Sequence, residues 1–370
     1  MKNLASFYKD KKVLLTGHTG FKGSWMAEWL LMLGADVTGL SLDPPTEPSL
    51  FDQLGLGGRM PHHVLDIRDR EEVATLVAET QPDLVFHLAA QPLVRDSYQI
   101  PIETFDTNIT GSIHVMDALR GLDKPCTAIM VTTDKCYENR EWLHSYREED
   151  AMGGYDPYSA SKGCAELAIS AYRRSYFNPI EDSRIALASA RAGNVLGGGD
   201  WAKDRIVPDC IRSVIRGEVI PVRNKIATRP WQHVLEPLGG YLLLAQKLSA
   251  YNGLADTSEQ ESGRSYADIA SGFNFGPNLT SNRTVAELVD ELIKNWKGEW
   301  QDCSDPNAVH EASKLNLAFD KAFHLLKWQP VWDFETTITQ VVEWYREVDA
   351  GTDPAEKTRQ QIENYTHTKA

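Results

Sequence analysis

Cysteine is sparse and unpatterned. The five in 370 residues, Cys126, Cys136, Cys164, Cys210 and Cys303, form no CxxC pair and no metal-ligand spacing. They read as reduced thiols of a cytoplasmic protein, and no metal is expected. Positive charge is short too: 38 Lys and Arg stand against 52 Asp and Glu, a net charge of −14. A nucleic-acid surface needs clustered Lys and Arg, so that class is set aside. A small anionic ligand remains open, because a few local arginines suffice. No apolar run is long enough to span a bilayer, and the N-terminus lacks a secretory apolar region, so no membrane partner is expected. There is no internal repeat. The length allows one large domain or two.

What is present centres on residues 13 to 23. The apolar run Val13-Leu14-Leu15-Thr16 ends in Gly17, Gly20 and Gly23, spaced three apart, and an amphipathic stretch from Ser24 to Leu33 stops at Gly34. Strand, glycine turn and helix in that order suit a pyrophosphate lying on backbone N–H groups at a helix N-terminus. The spacing differs by one residue from G-x-G-x-x-G, and tight turns also use glycine for steric reasons alone. His18, Phe21 and Lys22 share this turn.

A second strand is expected over Asp36–Leu42. The acid that usually binds the adenosine ribose is displaced or absent: Ser41 holds the strand end, and Asp43 lies in a Pro-rich turn. NAD against NADP is therefore open at this point. A short strand over His63–Asp66 places Asp66 and Ile67 where an adenine would lie. Asp69 caps the next helix, with Glu72 three residues on. A strand over Leu84–Leu88 leads into Ala89, Ala90 and Gln91, small residues against which a flat ligand can rest. Residues 103–120 read as a helix with Asn108 inward. A strand over Ile129–Thr132 ends in Thr133-Asp134-Lys135, outside a carboxyl end, where ligands of open α/β sheets bind. Residues 138–157 read as a loop. Pro157 starts a helix that puts Tyr158 and Lys162 on one face at i, i+4, where a cation beside a phenol favours phenolate.

Ile185–Ala190 is a sixth strand, so the alternation to this point implies an α/β fold, a doubly wound parallel sheet. Beyond Arg191-Ala192-Gly193-Asn194 come a glycine-rich loop and helices over 206–216 and 235–249. Thr228-Arg229-Pro230-Trp231-Gln232-His233 either grips a phosphate and stacks a base or is a Trp-anchored surface loop. Residues 251–266 read as a mobile loop, 273–276 as a strand, and 285–296 and 336–348 as helices. The polar tail, 351–370, is expected to fray.

The glycine triplet, the TTDK strand end and YSASK together resemble the extended short-chain dehydrogenase/reductase superfamily, over about Lys12 to Val348. The longer strings GHTGFKGSW, TTDKCYEN, ARAGNVLGGGDWAKDR and RPWQHVLEP are similar to those of CDP-glucose 4,6-dehydratases of bacterial surface-sugar (O-antigen type) synthesis. The resemblance implies a Rossmann-type NAD-binding domain over 1–193, with segments near 228–250 and 273–276 returning to it. A smaller C-terminal substrate-binding domain would occupy mainly 194–350. It also implies a homodimer or homotetramer, and a lyase turning CDP-glucose into CDP-4-keto-6-deoxyglucose.

Carried over by motif, Tyr158 takes the proton of the sugar 4-hydroxyl, Thr133 bonds that hydroxyl, and Lys162 lowers the phenol pKa and holds the nicotinamide ribose. Asp134 is the acid for the departing 6-hydroxyl. Many related dehydratases have glutamate after that aspartate; Lys135 stands here, as a base at C5 or as an electrostatic partner. NAD contacts are implied for Gly17, His18, Gly20, Phe21, Lys22, Gly23, Ser41, Asp66, Ile67, Leu88, Ala89, Ala90, Asn108 and Thr132. Sugar-nucleotide contacts are implied for Gln91, Arg191, Asn194, Arg205, Arg229, Trp231 and His233. The alternatives are another nucleotide-sugar dehydratase or a 4-epimerase of the same fold, and more remotely a dinucleotide-sensing protein without chemistry.

Overall fold

The computed structural model describes residues 4–177, 184–252, 265–304 and 314–368. Six strands alternate with helices: β1 Lys12–Thr16, β2 Asp36–Ser41, β3 His62–Val64, β4 Leu84–His87, β5 Cys126–Val131 and β6 Ile185–Ala192. A seventh, Gly272–Phe275, joins the far edge, and the order across the sheet is β3-β2-β1-β4-β5-β6 and then the seventh strand, all parallel. Strand order reverses between β1 and β4, which opens a crevice at their carboxyl ends. β4, β5 and β6 are buried along their whole length, as strands covered by helices on both faces must be.

The helix Phe21–Met32 lies under the sheet and is apolar nearly all round, with Trp25, Met26, Trp29 and Leu30 buried. What covers its outer side is the C-terminal segment. The expected frayed tail is instead a helix, Pro354–Thr368. Its few large apolar residues suffice. The Tyr365 ring meets Trp29 at 5.8 Å and Trp332 at 5.2 Å, and its hydroxyl donates to buried Glu236 at 2.8 Å. Arg359 Nε donates to buried Glu28 at 2.7 Å.

Other elements differ from expectation by a residue or two. The helix expected over 103–120 begins at Pro101 and carries a π-helical stretch, Asp106–Gly111, before continuing to Leu119. The wider turn sets Asn108 inward. β3 ends at Val64, so Asp66 stands two residues beyond it. β6 runs on to Ala192 and takes Arg191 into the sheet. Helices Ile206–Arg216 and Leu235–Ser249 lie where the pattern puts them. Most of the expected loop at 251–266, residues 253–264, lies outside the described residues. No helix among the described residues is long and apolar enough to cross a membrane, and they hold no metal-binding group of His, Cys, Asp or Glu.

Candidate active site

The glycine turn contains glycines of two kinds. A Cβ at Gly17, where φ is +76°, would lie 2.7 Å from Ala89 N, and one at Gly23 would lie 2.0 Å from the Gly17 carbonyl. Protein packing alone demands both. At Gly20 a Cβ would meet only the Gly17 carbonyl, at 3.4 Å. Nothing in the protein excludes a side chain there. Gly20 is the N-cap of the Phe21–Met32 helix, whose first turn has neither a side-chain cap nor an acid. Free N–H groups beside a bare Cα are the geometry a diphosphate requires, and a dinucleotide fits.

Around this seat the implied cofactor residues divide. Leu88, Ala89 and Ala90 follow β4, and the Leu88–Ala89 backbone abuts Gly17. Phe21 leans on Gly197, where a Cβ would come within 2.9 Å of its ring. The His18 ring is buried against Gly39, edge-on to Phe51 at 5.3 Å, and burial pushes it down to about 4. Its ring nitrogens make no close hydrogen bond among the described residues, and the Leu40 backbone nearby opposes the effect of burial. Ser41 Oγ pairs with Thr19 Oγ1 at 2.7 Å, and Asp43 is exposed. Asp66 spends both oxygens on Arg68, at 2.7 to 3.2 Å. Ile67 is buried beside Gly111. Asn108 is fully occupied: its Oδ1 accepts from Gln91 N, and its Nδ2 donates to Gln91 O and to Ser161 Oγ. Gln91 Nε2 in turn donates to Thr104 Oγ1. These two clamp the segment after β4 to the Tyr158 helix, and their side-chain amides are used within the protein rather than on a ligand.

The reaction centre gathers at the end of β5. Thr133 caps the short turn Asp134–Cys136, and its hydroxyl donates to Asp134 Oδ1 at 2.9 Å. Across β6, a Cβ at Gly193 would touch Asp134 Oδ2 at 2.8 Å, so the acid is tightly enclosed. Burial raises the Asp134 carboxyl above its ordinary value, against the pull of Lys135, the Thr133 hydrogen bond and Arg229. Tyr158 and Lys162 stand on the helix Pro157–Ser175, capped by Asp156. Burial pushes the Tyr158 phenol up to about 12, opposed by a hydrogen bond with Thr133 and by the charge of Arg205. Lys162 is itself pushed down to about 8 by burial, with Glu166 acting in the other direction.

Three expected sugar-nucleotide contacts are committed elsewhere. Arg191 is buried in β6, with Nη2 2.8 Å from Glu166 Oε2. The Trp231 indole N–H donates to the Arg283 carbonyl at 3.0 Å, inside the core. The His233 ring is sandwiched between Trp25 at 5.7 Å and Trp332 at 4.8 Å, fully buried. Each owes its place to partners remote in sequence. Arg205, held by Asp200 at 2.8 Å, and Arg229 both remain within electrostatic reach of the centre. Asn194 is half-buried just past β6.

Two residues escaped the sequence. Tyr241 is fully buried on the helix Leu235–Ser249, its hydroxyl without a hydrogen-bond partner among the described residues, in the field of Tyr158 and Asp134. Glu166 follows Lys162 by one helical turn, an acid in an apolar run, and that was its only signal. Lys22 does more than belong to the glycine turn. Its ammonium lies 5.8 Å over the Tyr241 ring, and burial, with Arg205 next, lowers it to about 8, while Asp134 opposes.

Parallel sheet, diphosphate seat and a Tyr, Lys and Thr cluster at a strand end together define a dinucleotide-dependent enzyme of the short-chain dehydrogenase/reductase type. The sequence model of the family described as GDP-mannose 4,6 dehydratase matches residues 14–341, and the chain belongs to that family. It is 46% identical over 363 residues to a CDP-glucose 4,6-dehydratase of Salmonella typhimurium (strain LT2), covering 97% of each chain. Among solved structures it is similar to a dTDP-glucose 4,6-dehydratase from Streptomyces venezuelae with NAD bound, with TM-score 0.73, 21% identity, and coverage of 93% of this chain and 99% of that one. A UDP-glucose 4-epimerase from Thermotoga maritima superposes with TM-score 0.74 at 21% identity, covering 91% and 99%.

Proposed function

We propose that the protein converts CDP-glucose into CDP-4-keto-6-deoxyglucose and water, a hydro-lyase reaction with no net redox change. Besides the 46% identity to a CDP-glucose 4,6-dehydratase, one observation carries the reading: Asp134, an enclosed carboxyl raised by burial, beside the bonded Thr133 and Tyr158 pair. Epimerisation at C4 has no use for an acid at the 6-hydroxyl; dehydration requires one.

NAD+ held in the diphosphate seat would supply the hydride transfer, from C4 and back to C6. The chain supplies the proton transfers. Tyr158 takes the 4-hydroxyl proton, with Thr133 orienting that hydroxyl. With the phenol near 12, further positive charge is needed to bring it into range, and Arg205 already acts in that sense. Once C4 is a ketone, its neighbour C5 is acidic. Lys135 serves there as base or as electrostatic partner of the enolate. Asp134 then donates its proton to the 6-hydroxyl, which leaves as water, and C5 takes back a proton as hydride arrives at C6. Lys162 holds the nicotinamide ribose, and Arg205, Arg229 and Asn194 face the sugar nucleotide, whose remote binding energy orients the ring.

Residues from about 194 to 350 provide most of the sugar-nucleotide side, and residues 1–193 the cofactor side. Leu167 on the Tyr158 helix and Ile102 on the helix Pro101–Phe105 packed against it are exposed apolar side chains, and a homodimer or homotetramer would give them cover. Five free cysteines support a cytoplasmic location, and the reaction suits deoxysugar synthesis of the O-antigen type. Turnover on CDP-glucose, dTDP-glucose and GDP-mannose at matched concentration tests the reading. CDP-glucose should be strongly preferred; equal or better turnover of another sugar nucleotide rejects the cytidine assignment.

A further inference from the structure

The burial of Arg191 exposes a second cluster, behind the reaction centre. Glu166 has 4% of its surface exposed and lies one turn beyond Lys162. Its Oε1 accepts from Thr132 Oγ1, and its Oε2 accepts from Ser189 Oγ and from Arg191 Nη2, both at 2.8 Å. Arg191 Nη1 donates to the Tyr137 hydroxyl at 2.7 Å, and that hydroxyl donates to Asn274 Oδ1 on the seventh strand, also at 2.7 Å. One carboxylate therefore ties the helix of Tyr158 and Lys162 to the strand end of Thr133 and Asp134 and to β6, and through Arg191 and Tyr137 to the seventh strand. A buried ion pair is rarely a gain in stability over apolar packing of the same volume. Helix-to-sheet contact alone would be served as well by a leucine.

Position and charge coincide here. Among the described residues, the titratable groups facing Lys162 are Lys22 from the glycine-turn helix, His87 at the end of β4, Cys136 after β5, and Tyr158 and Glu166 on its own helix. Burial keeps His87 neutral and holds the Cys136 thiol protonated. Glu166 is held ionised by Arg191 and by its three hydroxyl and guanidinium donors, in spite of burial.

We propose that Glu166 is a positioning residue of the reaction centre: it fixes the Thr132–Asp134 strand end against the Tyr158 helix and supplies the buried negative charge that faces Lys162. The charge matters because burial alone drives the Lys162 ammonium toward its neutral form. Lys162 keeps its proton below its own pKa and loses it above. Removing the carboxylate lowers that pKa, so the alkaline limb of activity moves to lower pH.

The inference rests on the proposed roles of Tyr158 and Lys162. The test is the pH dependence of kcat/KM for CDP-glucose, and of NAD+ binding, beside thermal melting. Wild type is compared with Glu166→Gln, Glu166→Asp and the double variant Glu166→Gln with Arg191→Met. Glu166→Gln should move the alkaline limb down by about one pH unit. Glu166→Asp should keep the limb in place while kcat falls about tenfold, because the shorter acid keeps charge but not reach. The double variant removes the unpaired arginine and guards against misfolding; its limb should fall as in the single variant. Lower melting temperatures with unshifted profiles in all three would make Glu166 purely structural and overturn the proposal. If wild type turns over no sugar nucleotide, the proposed function fails instead. The pH dependence of NAD+ binding, which needs no turnover, still decides for or against Glu166.

Discussion

Two polar stretches of this chain look alike on paper and behave oppositely in the fold. Thr133-Asp134-Lys135 with Tyr158 and Lys162 faces the crevice at the carboxyl ends of the strands. Arg191, Trp231 and His233 turn inward, into an ion pair, a carbonyl contact and an aromatic sandwich. The first set is placed by local rules. A strand end faces the crevice, and i, i+4 on a capped helix shares a face. The second set is placed by partners 25 to 100 residues away, Glu166, Arg283 and Trp332, which no local pattern announces. A side chain that can grip a ligand can as well satisfy a buried neighbour.

This comparison yields variants whose failures should differ in kind. Tyr158→Phe should cost most, about 10²- to 10⁴-fold in kcat, with NAD+ and sugar-nucleotide affinity retained, since only the proton acceptor is lost. Near-normal steady-state turnover would refute the assignment. Arg191→Met should instead lose about 3–5 kcal/mol of stability in denaturant titration, because Glu166 is left buried and unpaired. Arg229→Met, at the crevice, should raise KM for the sugar nucleotide severalfold with little change in melting. If the two arginine variants exchange phenotypes, the inward and outward sets have been confused.

Lys22 gives a smaller and signed effect. Its folded-state pKa is lowered to about 8, below the ordinary lysine value of 10.5, so its charge penalises folding fully below pH 8. The penalty fades as pH rises from 8 toward 10.5. Lys22→Met should therefore melt a few degrees higher than wild type at pH 7, with the gain vanishing near pH 10. An unchanged gain across that range would remove Lys22 from the buried set. Smallest is the cofactor side. Ser41 at the strand end is tied to Thr19, and the nearest acid, Asp43, stands two residues further on in an exposed turn, displaced from the usual place for gripping the adenosine ribose. Added NAD+ should raise the activity of purified protein; a full complement of NAD surviving dialysis would contradict this.

The same contrast explains what was legible in the sequence. The parallel sheet, the glycine turn and the Tyr158 helix follow from period, caps and glycine, all local. The C-terminal helix did not, because its polar composition hides three or four contacts that matter, chiefly Tyr365 against Trp29, Trp332 and Glu236. Neither did the π-helical stretch that turns Asn108 inward, nor Tyr241, whose buried hydroxyl has no hydrogen-bond partner among the described residues. The spacing of Tyr158 and Lys162 gave their shared face but not the electrostatics of the phenol, in which burial comes first and the Thr133 hydrogen bond next.

The account stands on Asp134 as the acid that separates dehydration from simple oxidation. The direct measurement is single-turnover mixing of the Asp134→Asn variant, loaded with NAD+, with CDP-glucose, followed by near-ultraviolet absorbance of reduced cofactor and by NMR of the sugar. Oxidation at C4 should proceed, reduced cofactor should accumulate, and 6-deoxy product should form at least about 10²-fold more slowly than in wild type, since the amide keeps the shape but delivers no proton. Product at the wild-type rate, with no build-up of reduced cofactor, would place the acid elsewhere and contradict this reading of the β5 strand end.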